Sequence, residues 1–223
     1  MKLLGEKVSK NNKVGYHYRD ALRLLFILAK GSKAISNESQ QFGTHIFEGE
    51  KRLMAIDFWM RYPDYLADKL LDLYEESKDA DLYSSIETIF DNEEPDVRTV
   101  SMLRWWRGAY QNIETALSIL EAYNLVKSKI KQISENQKRY DFFLGQSAFD
   151  FLDQAVIDQP ILKWYEERSS LVMLIAKDYS GTRLKEWQYD YEEYKDSSYG
   201  AMIPSIKDRV LERLEKIRRE DND

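Results

Sequence analysis

"NLVKSKIKQISENQKRYDFFLG", residues 124–145, is where the chain leaves helical spacing. Lys127, Lys129 and Lys131 alternate with small or apolar residues, as side chains on opposite faces of a β-strand do. The "SENQ" that follows is typical of a turn, and "RYDFFL" is rich in strand-forming residues. The stretch therefore predicts a β-hairpin over residues 125–144 that is basic on one face.

Apolar residues at helical spacing predict helices on both sides of this hairpin. Pro63 separates two of them, because a residue before proline is disfavoured in helical conformation. The polar stretch 32–48 is interpreted as loops, and further helices are expected over residues 160–178 and 204–220. The helices around the hairpin are predicted over residues 17–30, 49–62, 64–77, 109–123 and 146–157.

The order of these elements indicates a fold class. Helices, then a helix that could enter a groove, then a two-stranded hairpin make up the order of a winged helix. We therefore expect a mainly α protein with a small β-hairpin, in which a winged-helix core carries additional N- and C-terminal helices. The winged-helix domain is predicted over residues 1–158, with its wing at 125–144. Residues 159–223 are predicted to form a helical C-terminal extension packed on this domain.

Composition limits the class of protein. The 223 residues include 32% charged side chains, a formal net charge of -6 and no cysteine. Without cysteine there are no disulfides, thiolate ligands or cysteine nucleophiles, which fits a reducing compartment. The N-terminus has no apolar core of signal-peptide length, and "LLFILA" is too short to span a membrane. These features predict a cytoplasmic protein with no membrane contact.

Positive charge is concentrated around the hairpin. Between Arg98 and Tyr140, eight Lys and Arg residues face three Glu residues, a local excess of +5 in an acidic chain. Lysines on a wing can contact phosphates, but lysines on a strand edge also prevent aggregation, so both readings stay open. The exposed side of the predicted helix 109–123 has no Arg or Lys, so we expect any DNA contact to be sequence-independent. The candidate DNA-contacting residues are Lys127, Lys129, Lys131, Lys138 and Arg139.

Residues that would carry enzyme chemistry are sparse. The two histidines, His17 and His45, lack metal-ligand spacing, and the sequence has no phosphate loop, dinucleotide fingerprint or nucleophile elbow. Acidic pairs such as Asp190 and Glu192 are typical of a solvated face in so charged a chain. We therefore predict no catalytic residues, no metal site and no cofactor.

Three separated blocks carry a resemblance to a known family. They are "EKRLMAIDFWMRYPDYLA" (50–67), "LRWWRGAYQNIETALSILEAYNLV" (103–126) and "YSGTRLKEWQYDY" (179–191). In this order and spacing they resemble the middle component of bacterial ABC three-component systems, which include the Lamassu type of anti-phage defence. The resemblance covers roughly residues 17–203.

The resemblance implies a small winged-helix subunit, similar to the kite and MukE-like subunits of SMC complexes. Such a subunit has no activity of its own. Its implied partners are an SMC-like ABC ATPase and, through the complex, an effector that is often a nuclease. The expected role is that of an accessory, scaffolding subunit in anti-phage or anti-plasmid defence, with sequence-independent DNA contact.

The segment "DFWMRYPDYL", residues 57–66, is unusually aromatic. In the family reading it is a helix-kink-helix corner, in which some rings pack the core and others anchor a partner. We expect Phe58 and Leu66 to be buried and Arg61 with Tyr62 to be partly exposed. Trp, Tyr and Arg dominate interface energetics. The candidate partner-binding residues are Trp59, Arg61, Tyr62, Tyr65, Trp105 and Arg107.

Two other functions stay open at this point. A winged-helix DNA-binding transcriptional regulator would show the same order of helices and hairpin. An enzyme or toxin with an acidic site would use carboxylates that no motif singles out. For the tryptophans of "LRWWRGAY" a core role is the alternative to an interface, with Arg104 and Arg107 stacking or pairing locally.

Overall fold

The computed structural model describes residues 2–36, 42–91, 103–105, 108–110 and 113–220, and it is mainly helical with a small antiparallel sheet. The helices are α1 (Lys2–Gly31), α2 (Glu50–Arg61), α3 (Pro63–Ser77), α4 (Ala80–Asp91), α5 (Glu114–Ala122), α6 (Gln146–Asp158), α7 (Lys163–Ala176), α8 (Gly181–Tyr189), α9 (Glu192–Lys195) and α10 (Lys207–Glu220). The strands are β1 (Lys33–Ala34), β2 (His45–Glu48), β3 (Leu103–Trp105), β4 (Gly108–Tyr110), β5 (Lys127–Ser134) and β6 (Gln137–Leu144).

The chain divides into two compact units, and each unit combines two separate stretches of sequence. Unit 1 comprises residues 1–53 and 112–169, and unit 2 comprises residues 54–111 and 170–223. Helices α2 and α7 each begin in unit 1 and end in unit 2. The division into a winged-helix domain (1–158) and a C-terminal extension (159–223) was predicted from the sequence alone, and it stays a prediction.

Unit 1 is built on a four-stranded antiparallel sheet in the order β1-β2-β6-β5. The central pair β2–β6 places Phe47 opposite Phe142, and both side chains are buried. Helix α1 packs against this pair and against α5 and α6. Gly43 permits the approach of β2 to β6, because a Cβ atom there would lie 2.5 Å from the carbonyl oxygen of Leu144.

The predicted hairpin is confirmed as β5 and β6. The two strands pair along their length and turn at Glu135 and Asn136. The register shifts between Gln132 and Ser134, so that Ile133 is a bulge before the turn. Helix α5 ends at Ala122, just before the hairpin. Asn124, two residues later, has a φ of 56°, the left-handed conformation that asparagine tolerates after a helix end.

The predicted helix 109–123 is wrong at its start. Ala109 belongs to β4, which pairs with β3 opposite Arg104, and the helix begins at Glu114. Apolar residues at 110, 113 and 117 repeat at helical spacing. The backbone of Tyr110, however, pairs with Leu103 in the β3–β4 sheet, so this residue is not helical. The predicted loop 32–48 likewise contains β1 and β2. Strand β1 pairs with β2, and β2 pairs with β6 about a hundred residues later.

Unit 2 packs α3 against α4 and α10. The break at Pro63 is confirmed: Tyr62 has φ −117° and ψ 81°, and Pro63 opens α3 where its missing N–H is not needed. The carboxylate of Asp64 accepts hydrogen bonds from the Ser205 hydroxyl (2.6 Å) and the Ile206 N–H (2.9 Å). These bonds fix the segment that leads into α10 against the first turn of α3.

Candidate nucleic-acid interface

The lysines of β5 share one face of the sheet in unit 1. Lys127, Lys129 and Lys131 lie directly opposite Phe143, Asp141 and Arg139 of β6, so that these six side chains point the same way. Lys138 is opposite Gln132 and therefore points to the other face. The structure thus brings together four of the five predicted DNA-contacting residues, and Lys138 is not among them.

Two of these lysines rest on an aromatic ring. The ammonium groups of Lys127 and Lys129 lie 4.7 Å and 4.3 Å from the centroid of the Phe42 ring. Phe42 in turn meets Phe143 edge-on, with ring centroids 5.7 Å apart. A cation over a ring face is held by the ring quadrupole, so the two lysine side chains are ordered before any ligand binds.

Arg139 is neutralised within the protein. Its Nε donates to Asp141 Oδ1 (2.6 Å), and its Nη2 donates to Asp141 Oδ2 (2.8 Å) and to Glu48. The hydrogen bond to Asp141 raises the pKa of Arg139 above its ordinary value, with the bond to Glu48 adding to it. Because two carboxylates compensate this charge, the lysines of β5 are the stronger candidates for phosphate contacts on this face.

Helix α5, which precedes the hairpin, presents a side without positive charge. Ala116 and Leu120 are buried, whereas Thr115, Ser118 and Glu121 are exposed. Glu121 is also occupied, because its carboxylate accepts a hydrogen bond from the N–H of Ser128 at 2.9 Å. Gln111 and Asn112, which the predicted helix 109–123 would place on its exposed side, lie outside the described residues. The described side of α5 therefore fits sequence-independent contact better than reading of bases.

The aromatic segment of α2 and α3 lies in the core of unit 2. Phe58 and Leu66 are buried, as predicted. Arg61 is 1% exposed and Tyr62 is 7% exposed, so the expectation that they reach solvent is wrong. Trp59 and Tyr65 are also buried. The Phe58 ring meets the rings of Trp59 (5.2 Å), Tyr62 (5.0 Å), Tyr65 (5.2 Å) and Tyr194 (5.6 Å).

The burial of this segment has a specific cause. Tyr191 and Tyr194, from the region of α9, cover the rings of α2 and α3, with Tyr191 centred 4.9 Å from Tyr65 and 6.2 Å from Trp59. The Tyr65 hydroxyl donates to the carbonyl of Pro204 at 2.9 Å, which satisfies its polar end. Four of the candidate partner-binding residues are therefore core residues, and they would contact a partner only if this packing opened.

The remaining two partner-binding candidates are Trp105 and Arg107. Arg107 and the side chain of Trp105 lie outside the described residues. Their neighbour Arg104 is buried, and its guanidinium carbon lies 4.6 Å from the Tyr189 ring centroid and 4.7 Å from that of Tyr194. Its Nε donates to the Tyr194 carbonyl at 2.9 Å. Arg104 therefore stacks on rings of the segment 189–194, about 90 residues later in the chain, and these contacts are not the local stacking that the sequence suggested.

An ion-pair cluster that the sequence analysis did not single out joins α10 to α3. Arg213 donates through Nη1 to Asp68 (2.9 Å) and through Nη2 to Asp72 and Glu75 (both 2.8 Å). Burial opposes the charge, but the bonds to Glu75, Asp72 and Asp68 outweigh it and raise the pKa of Arg213. The spacing 68, 72, 75 places all three carboxylates on one helix face, a signal visible in the sequence.

The described part of the chain contains neither a metal-binding group of side chains nor a helix that could span a membrane. No group of three His, Asp or Glu side chains there could hold a metal ion. Nor does any helix in those ranges combine the length and the apolar character needed to cross a bilayer.

His45 contacts Phe149, with ring centroids 4.6 Å apart, and its Nδ1 lies 3.0 Å from the Thr44 hydroxyl.

Comparison with known proteins identifies no relative: no family model, no curated protein and no solved structure matches the chain. Function is therefore inferred from the placement of the residues and from the resemblance of the three sequence blocks.

Proposed function

We propose that this chain is a non-catalytic accessory subunit of an SMC-like ABC ATPase complex in anti-phage or anti-plasmid defence. It would bridge the ATPase and an effector, which in such systems is often a nuclease, and contact DNA without sequence specificity through its hairpin. The observation that carries the DNA contact is the face formed by Lys127, Lys129 and Lys131. The ATPase partnership rests on the resemblance of the three sequence blocks.

The architecture of unit 1 supports a winged helix. A long helix is followed by a strand, β2, and α5 leads directly into the hairpin, whose strand β6 pairs with β2. The stretch from Met54 to Gln111 between these elements belongs to unit 2. In this proposal unit 1 supplies the winged-helix core, and unit 2 supplies helices added to it.

The charges of the hairpin support DNA contact. Lys127 and Lys129 lie over the Phe42 ring, and the acidic residues on that face, Glu48 and Asp141, bind Arg139. The ammonium groups of the three lysines therefore remain to meet phosphates, which position a protein on DNA without reading its sequence. The absence of Lys and Arg from the described side of α5 agrees with this mode.

Co-purification tests the ATPase partnership. The tagged chain is expressed together with its neighbouring genes, purified and analysed by mass spectrometry. We expect recovery of a large ATPase with long heptad segments. A chain that stays monomeric and without partners under these conditions would contradict the proposal. The Lys127→Ala, Lys129→Ala, Lys131→Ala variant is the matched control, because it should keep the ATPase while it loses DNA.

A transcriptional regulator is the second candidate, and the order of α5 and hairpin favours it. Such a regulator would bind one duplex sequence about 10³-fold or more tightly than unrelated duplexes. Selection of duplexes from a random pool distinguishes the two functions. Enrichment of one sequence would favour the regulator, and a pool that stays random while it binds would favour the accessory subunit.

A further inference from the structure

Strand β5 forms one edge of the sheet in unit 1, and its outer side has backbone groups that β6 does not use. The N–H of Ser128 donates to the Glu121 carboxylate and thus points away from β6. Because alternate residues of an antiparallel strand point their backbone groups to the same side, those of Ile130 and Gln132 also point outward. Beyond Ser128 the edge is therefore oriented to pair with another strand.

An apolar surface lies beside this edge, on the face opposite the lysines. Ile130 and Tyr140 are directly opposite each other in the β5–β6 register, with 56% and 45% of their surface exposed. Nearer the base of the hairpin the same face is buried through Phe142. Lysines can protect a strand edge against aggregation without an exposed apolar surface on the opposite face. An exposed apolar surface beside an edge is instead typical of a binding site.

We propose that the β5 edge binds an extended segment of a partner protein in which acidic and apolar residues alternate. An added strand would pair with the outward backbone groups of Ile130 and Gln132. Its side chains on one face would lie next to Lys129 and Lys131, at the ~5 Å Cβ separation of cross-strand neighbours, where carboxylates are favoured. Its side chains on the other face would cover Ile130, where apolar groups are favoured.

The lysines of β5 decide which kind of strand can pair with this edge. A second copy of β5 would place lysines opposite lysines, which destabilises strand pairing. Glu121 already occupies the outward N–H of Ser128, so the added strand starts after that residue. An acidic and apolar partner segment satisfies both faces. This inference does not depend on the ATPase proposal, although acidic side chains and DNA phosphates would share the same lysines.

Fluorescence anisotropy with labelled peptides tests the inference on the full chain. The probe is a ten-residue peptide of alternating Glu and Val, and the control peptide alternates Lys and Val. We expect the acidic peptide to bind about tenfold or more tightly than the basic one, because only its charges complement the lysines. Equal binding of the two peptides, no binding of the acidic one, or self-association of the chain through this edge would overturn the inference.

Two variants locate the binding on the edge. Ile130→Pro removes an outward N–H that β6 does not use, so the hairpin keeps its own ladder while the acidic peptide is lost. Gln146→Pro is the matched control, because proline is favoured at the first position of a helix and this one opens α6. Ile130→Glu leaves the backbone intact and should weaken the acidic peptide about tenfold.

The same variants separate this inference from the DNA contact. Ile130→Pro keeps all three lysines, so it should bind duplex DNA as the unmodified chain does. Undiminished binding of the acidic peptide by both Ile130 variants would show that the edge is not used, whatever the DNA result. Loss of both ligands in Ile130→Pro, with a hairpin shown by NMR to be intact, would equally contradict the inference that the peptide uses the backbone of this edge and DNA does not.

Discussion

The hairpin β5–β6 and the aromatic segment 57–66 both stand out in the sequence, yet they have opposite positions in the structure. The hairpin projects its lysines and several apolar residues outward from unit 1. The aromatic segment, rich in Trp, Tyr and Arg, is buried in unit 2 by Tyr191 and Tyr194. The residue types that dominate interfaces are also those that fill cores, so composition alone does not distinguish the two.

The difference lies in what surrounds each segment. In β5 the alternation of lysine with smaller residues determines which face is charged, and no later element covers it within the described residues. In α2 and α3 the rings meet residues about 130 positions later in the chain. We therefore expect the aromatic segment to contribute to stability, and we propose the hairpin as the binding region.

The largest expected effect comes from removal of a core ring. Trp59→Ala should lower the free energy of unfolding by about 3–5 kcal/mol, because it deletes a buried indole and leaves a cavity between Phe58 and Tyr191. Urea denaturation followed by circular dichroism measures it. Tyr140→Ala, which removes a half-exposed ring from the hairpin, is the control and should change stability far less. Comparable losses in both variants would remove the distinction between the two regions.

Alkaline pH should next weaken unit 2. Burial raises the pKa of Tyr65, Tyr191 and Tyr194 above the ordinary value of 10.0, and Asp64 and Asp68 add to it for the first two. A raised folded-state pKa means that the contribution to stability is complete below pH 10 and is lost as the pH rises above it, since the unfolded chain then releases these protons first. Thermal unfolding between pH 8 and pH 11 measures this loss.

A matched pair of variants sharpens the alkaline result. Tyr194→Phe removes one of the three shifted groups and should make the decline above pH 10 shallower, whereas Tyr140→Phe on the hairpin should leave it unchanged. A decline of equal steepness in all three chains would show that the buried phenols of unit 2 do not cause it.

A smaller effect is expected where α10 meets α3. Arg213→Ala leaves the carboxylates of Asp68, Asp72 and Glu75 without their shared partner and should cost about 1–2 kcal/mol at low salt. The loss of stability should be smaller in about 0.5 M salt, because salt screens the repulsion among the three carboxylates. Urea denaturation at two salt concentrations measures it. Arg219→Ala, on the same helix with a single exposed partner, is the control and should have almost no effect.

The sequence was sufficient for elements whose signals are local. The hairpin and the break at Pro63 follow from alternation and from proline chemistry. It was insufficient where the partner lies far along the chain. Strand β2 becomes a strand only when it pairs with β6, and β4 replaces the predicted start of α5 only when it pairs with β3.

The candidate site divides in the same way. The common face of Lys127, Lys129 and Lys131 was predictable, because a strand has a period of two. The contribution of Glu48 to the neutralisation of Arg139 was not, since Glu48 comes from β2, which was interpreted as a loop. The burial of Arg61 was not predictable from the local sequence either. The spacing of four residues shows only that Arg61 can pair with Asp57 on one helix face.

DNA binding by the hairpin is the claim that one titration tests most directly. Anisotropy is measured with two duplexes of unrelated sequence at several salt concentrations, for the unmodified chain and for the variant with alanine at 127, 129 and 131. We predict equal affinities for the two duplexes and a salt dependence whose log–log slope falls by up to about 2.7 in the variant, as expected for three lost phosphate contacts. Unchanged affinity and slope in the variant, or no binding by the unmodified chain, would contradict the account.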